Sequence, residues 1–184
     1  SVDESFIKVD GVLHLWGDAF TVAAKIKKDI EREFQLPCAV GIGPNMLLSK
    51  LCLDLEAKKH GIAEWKYEDV QTKLWNVSPL REMWGIGRRV EKTLNGMGIF
   101  TVGQLARYDL EALEKKFGIM GNQLYHHAWG VDLSDLGAHL VEGQISFGKS
   151  QILLRDYKEE EEIKHVILEM CEEVARRARS RRKA

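Results

Sequence analysis

Cysteine is scarce in this chain of 184 residues: Cys38, Cys52 and Cys171 stand alone and are odd in number. That excludes a disulfide-stapled scaffold and a Cys-x-x-Cys metal site, and it suits a reducing cytoplasm. Histidine offers no metal pattern either, because His14, His60, His126, His127, His139 and His165 lack ligand spacing. No apolar run is long enough to span a membrane and no secretory signal is evident, so membrane and export roles are not expected. A surplus of one charge is missing too. Lys+Arg 27 against Asp+Glu 28 leaves −1, so the overall charge selects no partner. An initiator Met is also lacking, and Ser1-Val2-Asp3-Glu4-Ser5-Phe6 reads like the interior of a strand, as expected of a piece of a longer protein.

What is present is the composition of a globular protein, 45% apolar and 30% charged, with length for one or two domains. Charge is uneven along it. Residues 156–162 are acidic, while residues 176–183 carry Arg176, Arg177, Arg179, Arg181, Arg182 and Lys183. Such a basic run fits local nucleic-acid contact and equally fits a solvated helix end.

The stretch that orders the chain is Met83-Trp84-Gly85-Ile86-Gly87-Arg88-Arg89. A short helix is expected over residues 77–83 and another over 88–97. Two glycines one residue apart allow a sharp turn and leave the amides of Gly85, Ile86 and Gly87 uncovered at a helix start. Such amides suit an anion, and Arg88 and Arg89 add two cations. Phosphates in series, as in a polynucleotide, are the natural guest. Phe117-Gly118-Ile119-Met120-Gly121-Asn122 reads as a second copy, opening a helix over residues 123–129. Taken alone, that second stretch is better read as a plain helix connection.

Around these turns the pattern predicts an α+β protein. Alternating β-formers over residues 1–15, broken by Asp10-Gly11, predict strand, turn and short strand. Asp18 caps a helix whose stripe is Val22, Ala23, Ile26, Ile30 and Phe34. Residues 37–43 read as a buried central strand. Asn45 caps a helix to about His60, ended by Gly61, and residues 62–65 read as an edge strand. A small helix is expected over 67–75, then helices only, with Thr101 and Asp109 as caps. Residues 132–142 read as a linker, 145–154 as a strand, and 159–182 as an amphipathic helix. The five tryptophans read as core rather than base-stacking platforms.

Two features could carry chemistry. Asp3-Glu4 are adjacent carboxylates of the kind that hold magnesium, although such a dipeptide alone is usually a surface pair. Lys50, after a strand and one turn into a helix, could hold a triphosphate as a point charge, although a solvated lysine is the commoner case. Together, residues 1–6, the block Val40-Gly41-Ile42-Gly43-Pro44-Asn45-Met46-Leu47-Leu48-Ser49-Lys50-Leu51 and the 83–87 turn resemble, in order and spacing, the Y-family translesion DNA polymerases. The likeness is strongest to the bacterial UvrX and ImpB/MucB/SamB UV-damage repair group and includes residues 117–125.

The resemblance implies a partial palm over residues 1–58 and an all-α thumb with two helix–hairpin–helix units over 59–134. A linker over 135–143 and the start of an α/β little finger over 144–184 would follow. Asp3 and Glu4 would be catalytic metal ligands for two Mg2+ ions, and Lys50 would contact the incoming nucleotide's phosphates. Gly85, Ile86, Gly87, Arg88, Arg89, Gly118, Gly121 and Asn122 would line the DNA backbone. Implied partners are damaged primer–template DNA and deoxynucleoside triphosphates, with the sliding clamp a further candidate, in the bacterial cytoplasm. The implied activity is error-prone nucleotidyl transfer in DNA repair and the SOS response. The family's first palm strand, with its own metal-binding Asp, and the fingers have no counterpart here, so the isolated chain is expected to be inactive. The alternative from another class is a non-catalytic helix–hairpin–helix DNA-binding module, which needs neither Asp3-Glu4 nor Lys50.

Overall fold

The computed structural model describes residues 3–137 and 146–181. Expectations that fall on Ser1, Val2, residues 138–143 of the linker, Ile145, Arg182 and Lys183 lie outside the described residues. From Asp3 the chain is irregular to a 3-10 turn over Asp10–Val12, which runs into α1 (Leu13–Trp16). The expected strand, turn and strand are absent there among the described residues. Alternation makes a strand only where a neighbour accepts its ladder, and none lies alongside. The backbone is satisfied locally instead, Val12 N–H donating to the Val9 carbonyl at 3.0 Å and Gly17 N–H to Leu13 at 2.8 Å.

α2 (Ala19–Phe34) starts where the Asp18 carboxylate accepts the Thr21 N–H at 2.7 Å. It buries Val22 and Ala23 and leaves Phe34 exposed. β1 (Val40–Ile42) is shorter than the expected strand and only half-buried. α3 (Met46–Cys52) follows, capped by Asn45, whose side-chain oxygen accepts the Leu48 N–H at 2.9 Å. A π turn over Leu53–Ala57 interrupts the helix before α4 (Lys58–His60), and Gly61 ends it. β2 (Ile62–Glu64) then pairs in parallel with β1, Val40 opposite Ile62 and Ile42 opposite Glu64. A parallel pair needs such a crossover, and here the crossover is the helix that carries Lys50. β1 crosses α3 at backbone contact. A Cβ on Gly41 would lie 2.4 Å from the Ser49 carbonyl oxygen and from the Leu53 nitrogen, which is why glycine stands there.

Beyond β2 the elements described are helices and 3-10 turns. Single 3-10 turns over Tyr67–Asp69, Leu74–Asn76 and Leu80–Glu82 replace the longer helices expected at 67–75 and 77–83. Pro79 cannot donate to a preceding turn and pushes Ser78 out of helical backbone. α5 (Arg88–Gly96), α6 (Val102–Ala106), α7 (Leu110–Phe117) and α8 (Ile119–Ala128) follow. Thr101 and Asp109 each cap as expected, Thr101 in a reciprocal box with Gln104.

One apolar core runs through Leu47, Leu48 and Leu51 of α3, Leu80 and Met83, Leu94 of α5, Leu105, Leu113 and Leu124. The start of α3 is also tied to the segment after α8. Asn45 Nδ2 donates to the Gly130 carbonyl at 2.8 Å, and the Leu47 N–H donates to Asp132 Oδ2 at 3.0 Å. The chain divides into two units after Leu136. In the second unit residues 146–154 are irregular rather than a strand, and α9 (Glu160–Ser180) is the expected helix. No residue of α9 is buried, so its stripe of Ile163, Ile167 and their neighbours stays open. The α+β organisation read from the pattern is the one observed: a small parallel sheet with helices, then helices alone.

Candidate nucleotide and nucleic-acid site

The first glycine turn is a helix–hairpin–helix corner held from below. Met83 and Ile86 point into the core, at 1% and 4% exposure. Glu91 of α5 is buried and accepts from both the Arg81 N–H at 3.2 Å and its guanidinium at 3.3 Å, which pins the two arms together. Gly85 takes φ +94°, the left-handed region, while Gly87 is extended at φ −87°, ψ 171°. A Cβ on either would meet nothing within 4 Å. One expectation is corrected here. The Ile86 amide donates to the Met83 carbonyl at 3.1 Å and is consumed by the turn. The amides of Gly85, Gly87, Arg88 and Arg89 make no hydrogen bond among the described residues, and the Arg88 and Arg89 side chains are exposed, a surface whose chemistry suits an anion.

The second turn departs from the expectation. α8 begins at Ile119, four residues earlier than predicted, so Gly121 and Asn122 lie inside the helix. Gly121 is where α7 and α8 touch: a Cβ there would meet the Leu113 carbonyl oxygen at 2.2 Å. The Asn122 side chain donates to Glu114 at 2.7 Å. Gly118, at φ +63°, is the turn, but its N–H is bonded to the Glu114 carbonyl at 2.7 Å. Gly118, Gly121 and Asn122 are thus engaged within the chain.

Lys50 and Glu4, distant in sequence, meet. Lys50 Nζ donates to Glu4 Oε1 at 2.6 Å, and it lies 3.1 Å from Asp54, which in turn pairs with Lys58 at 2.7 Å. Burial works against the Lys50 ammonium, but hydrogen bonds to Glu4 and Asp54 outweigh it and raise its pKa above the ordinary lysine value. Burial likewise opposes the Asp54 carboxylate, and Lys58 with Lys50 outweighs it and lowers that pKa. Asp3 is exposed beside Glu4. Among the described residues no group of three or more His, Cys, Asp or Glu side chains could hold a metal ion. Two adjacent carboxylates are nonetheless hard oxygen donors of the type magnesium takes together with substrate phosphates. Glu4 already holds a cation, the Lys50 ammonium, so the donor set fits a positive guest.

An open cleft of about 520 Å3 lies between Asp54 and Lys58 on one side and Arg81, Glu82, Trp84, Gly85 and Gly87 on the other; Asp54 links it to Lys50, which does not line it. The expectation of tryptophans in the core holds for Trp65 but not for Trp16, Trp84 and Trp129, which are 52%, 41% and 38% exposed; Trp84 packs on Phe6 with ring centroids 6.0 Å apart. Asp54, Lys58 and Arg81 were also missed. The spacing Lys50, Asp54, Lys58, one helical turn between each, was the available signal.

Comparison with known proteins agrees along the chain. Residues 1–54 match the model of the impB/mucB/samB family, residues 67–99 that of the IMS family HHH motif, and residues 144–184 that of the impB/mucB/samB family C-terminal domain. A UV-damage repair protein of Bacillus subtilis, described under the name UvrX, is 63% identical over 100% of this chain and 43% of its own length. The DNA repair protein homolog YobH of the same organism is 68% identical over 86% of this chain and 74% of its own. DNA polymerase IV of Pelotomaculum thermopropionicum is 42% identical over 97% of this chain and 44% of its own. The crystal structure of DinB from Sulfolobus solfataricus superposes with a TM-score of 0.55 at 25% identity, over 68% of this chain and 36% of that one. The chain belongs to the impB/mucB/samB family. It spans less than half the length of UvrX and of DNA polymerase IV.

Proposed function

We propose that the chain is the part of a translesion DNA polymerase that carries two carboxylates of the reaction centre and the grip on the DNA backbone. Residues 1–58 correspond to the palm, 59–134 to the thumb and 144–184 to the start of the little finger. The observation that carries the reading is the contact between Glu4 and Lys50 at 2.6 Å, with Asp54 joining Lys50 to a cleft that the Gly85–Gly87 turn also lines. A pure DNA-binding module has no use for that contact. The names of the repair and polymerase IV relatives support the same direction.

In this mechanism the amides of Gly85, Gly87, Arg88 and Arg89 hold phosphates of the duplex without reading bases. Lys50 offers its ammonium to the phosphates of an incoming deoxynucleoside triphosphate and offsets charge gathering there. Asp3 and Glu4 would hold magnesium, which when bound would acidify the primer 3′ hydroxyl and neutralise phosphate charge. Glu4, which pairs with the Lys50 ammonium at 2.6 Å, would release it to serve as a metal ligand.

The test pairs two measurements. Mn2+ binding, followed by electron paramagnetic resonance, should weaken in Asp3→Asn and Glu4→Gln, while duplex binding by fluorescence anisotropy stays near native. In a protein of the full length of the polymerase IV relatives, Glu4→Ala should abolish primer extension on a lesion-bearing template. Unchanged Mn2+ affinity with intact extension would reduce the chain to a binding module. Equal loss of metal and DNA binding would make the two acids structural.

A further inference from the structure

Lys50 has one ammonium and two carboxylates against it. Glu4 Oε1 lies at 2.6 Å on one side and Asp54 Oδ2 at 3.1 Å on the other, and the lysine side chain is only 13% exposed. An exposed pair one helical turn apart contributes little. This one differs in two respects. The lysine is largely enclosed, and Asp54 sits in the π turn over Leu53–Ala57, which interrupts an otherwise regular helix. Single π turns are commonly found at functional sites. The backbone that carries both residues has no slack. Gly41 of β1 approaches Ser49 and Leu53 so closely that an added Cβ would lie 2.4 Å from each. Asp54 is itself compensated by Lys58 at 2.7 Å.

We infer that Asp54 is the positioning residue for Lys50: it keeps the ammonium facing the triphosphate when Glu4 turns to its cation, and Lys58 offsets its charge meanwhile. The inference rests on the role given to Lys50 above. Without a second carboxylate, a lysine released by Glu4 regains the freedom of its four-carbon stem and must be ordered again for each nucleotide.

The sign of one effect decides the matter. Asp54 is an anion near the path of an anionic substrate, so by charge alone Asp54→Asn should tighten triphosphate binding. A positioning role predicts the opposite. The experiment is titration of the 15N-labelled chain with magnesium dATP, followed by amide shifts, which reads affinities into the millimolar range. Circular dichroism confirms the fold of each variant. Asp54→Asn should weaken binding about tenfold, the scale of one charged hydrogen bond. In a Lys50→Met background the same change should be silent or should tighten binding. Asp54→Ser, judged by the same signs, replaces Asp54→Asn if that variant does not fold. Unchanged or tighter binding in the native background, with Lys50→Met still weakened, overturns the inference and leaves the role of Lys50 standing. Equal weakening by Asp54→Asn in both backgrounds shows that Asp54 acts independently of Lys50 and also overturns it. If Lys50→Met binds like the native chain, or the native chain does not bind, the role of Lys50 falls and this inference with it.

Discussion

The two glycine turns, at residues 83–89 and 117–122, are spelled in similar residues and use their glycines in opposite ways. At the first, Gly85 and Gly87 face open space, with nothing within 4 Å of an added Cβ. At the second, Gly121 is pressed against the Leu113 carbonyl, 2.2 Å from where a Cβ would be. Glycine spacing alone therefore does not say whether a turn is left open or is pressed against a neighbouring helix. The residues that follow decide. Arg88 and Arg89 follow the first pair, whereas Gly118 leads into Ile119, 90% exposed, and Met120.

The contrast can be broken most directly at Gly121. Gly121→Ala should cost about 3 kcal/mol of stability, the upper end for overpacking a contact that cannot yield. Urea denaturation is the measurement, and native-like stability would remove the packing role. Next in size is the Arg88→Ala, Arg89→Ala pair. Duplex affinity at low salt should fall about tenfold, as for loss of a charge-assisted phosphate contact. The slope of log affinity against log salt should drop by about 1.8 for two phosphates. Anisotropy on several duplexes over a salt series measures both, and a loss confined to one sequence would mean that the turn reads bases.

Gly87→Val should be milder. Its extended backbone accepts any residue, so stability should stay within about 0.5 kcal/mol. Affinity should fall about threefold for all duplexes alike, because a branched side chain then covers the amides. A larger loss with an unfolded spectrum would show that the first turn, too, is packed.

The smallest effect concerns pH and the far end of α8. Burial lowers the His127 pKa, only partly offset by Asp132, whose carboxylate lies 3.9 Å away. The folded state thus favours neutral histidine. That contribution is full above the ordinary histidine value and is lost as pH falls through that value toward the lower folded one. Stability of the native chain should therefore drop over mildly acid pH, and His127→Gln should flatten the drop without touching duplex affinity. An unchanged pH profile would place His127 outside the fold's balance.

Local features of the fold were legible in the residues and distant ones were not. Asp18, Asn45, Thr101 and Asp109 cap helices as expected, because a cap is settled by a side chain and an amide three residues on. The N-terminal strand was misread because alternation cannot tell whether a partner strand lies alongside. Gly121 was misread because its reason is Leu113, on another helix. At the candidate site, the open turn at Gly85 and Gly87 and the exposed arginines after it were readable from spacing. Asp54 was not singled out, since its meaning depends on a π turn and on Glu4 reaching Lys50 from 46 residues away.

The core that joins Leu47, Leu48 and Leu51 to Met83, Ile86 and Leu94 is continuous. The helix bearing Lys50 and the corner bearing Gly85 and Gly87 are therefore bolted to one chassis. On the proposed role, a duplex would slip over a fixed point, and each register would present the same phosphate spacing to the same amides, so the grip would not depend on base sequence.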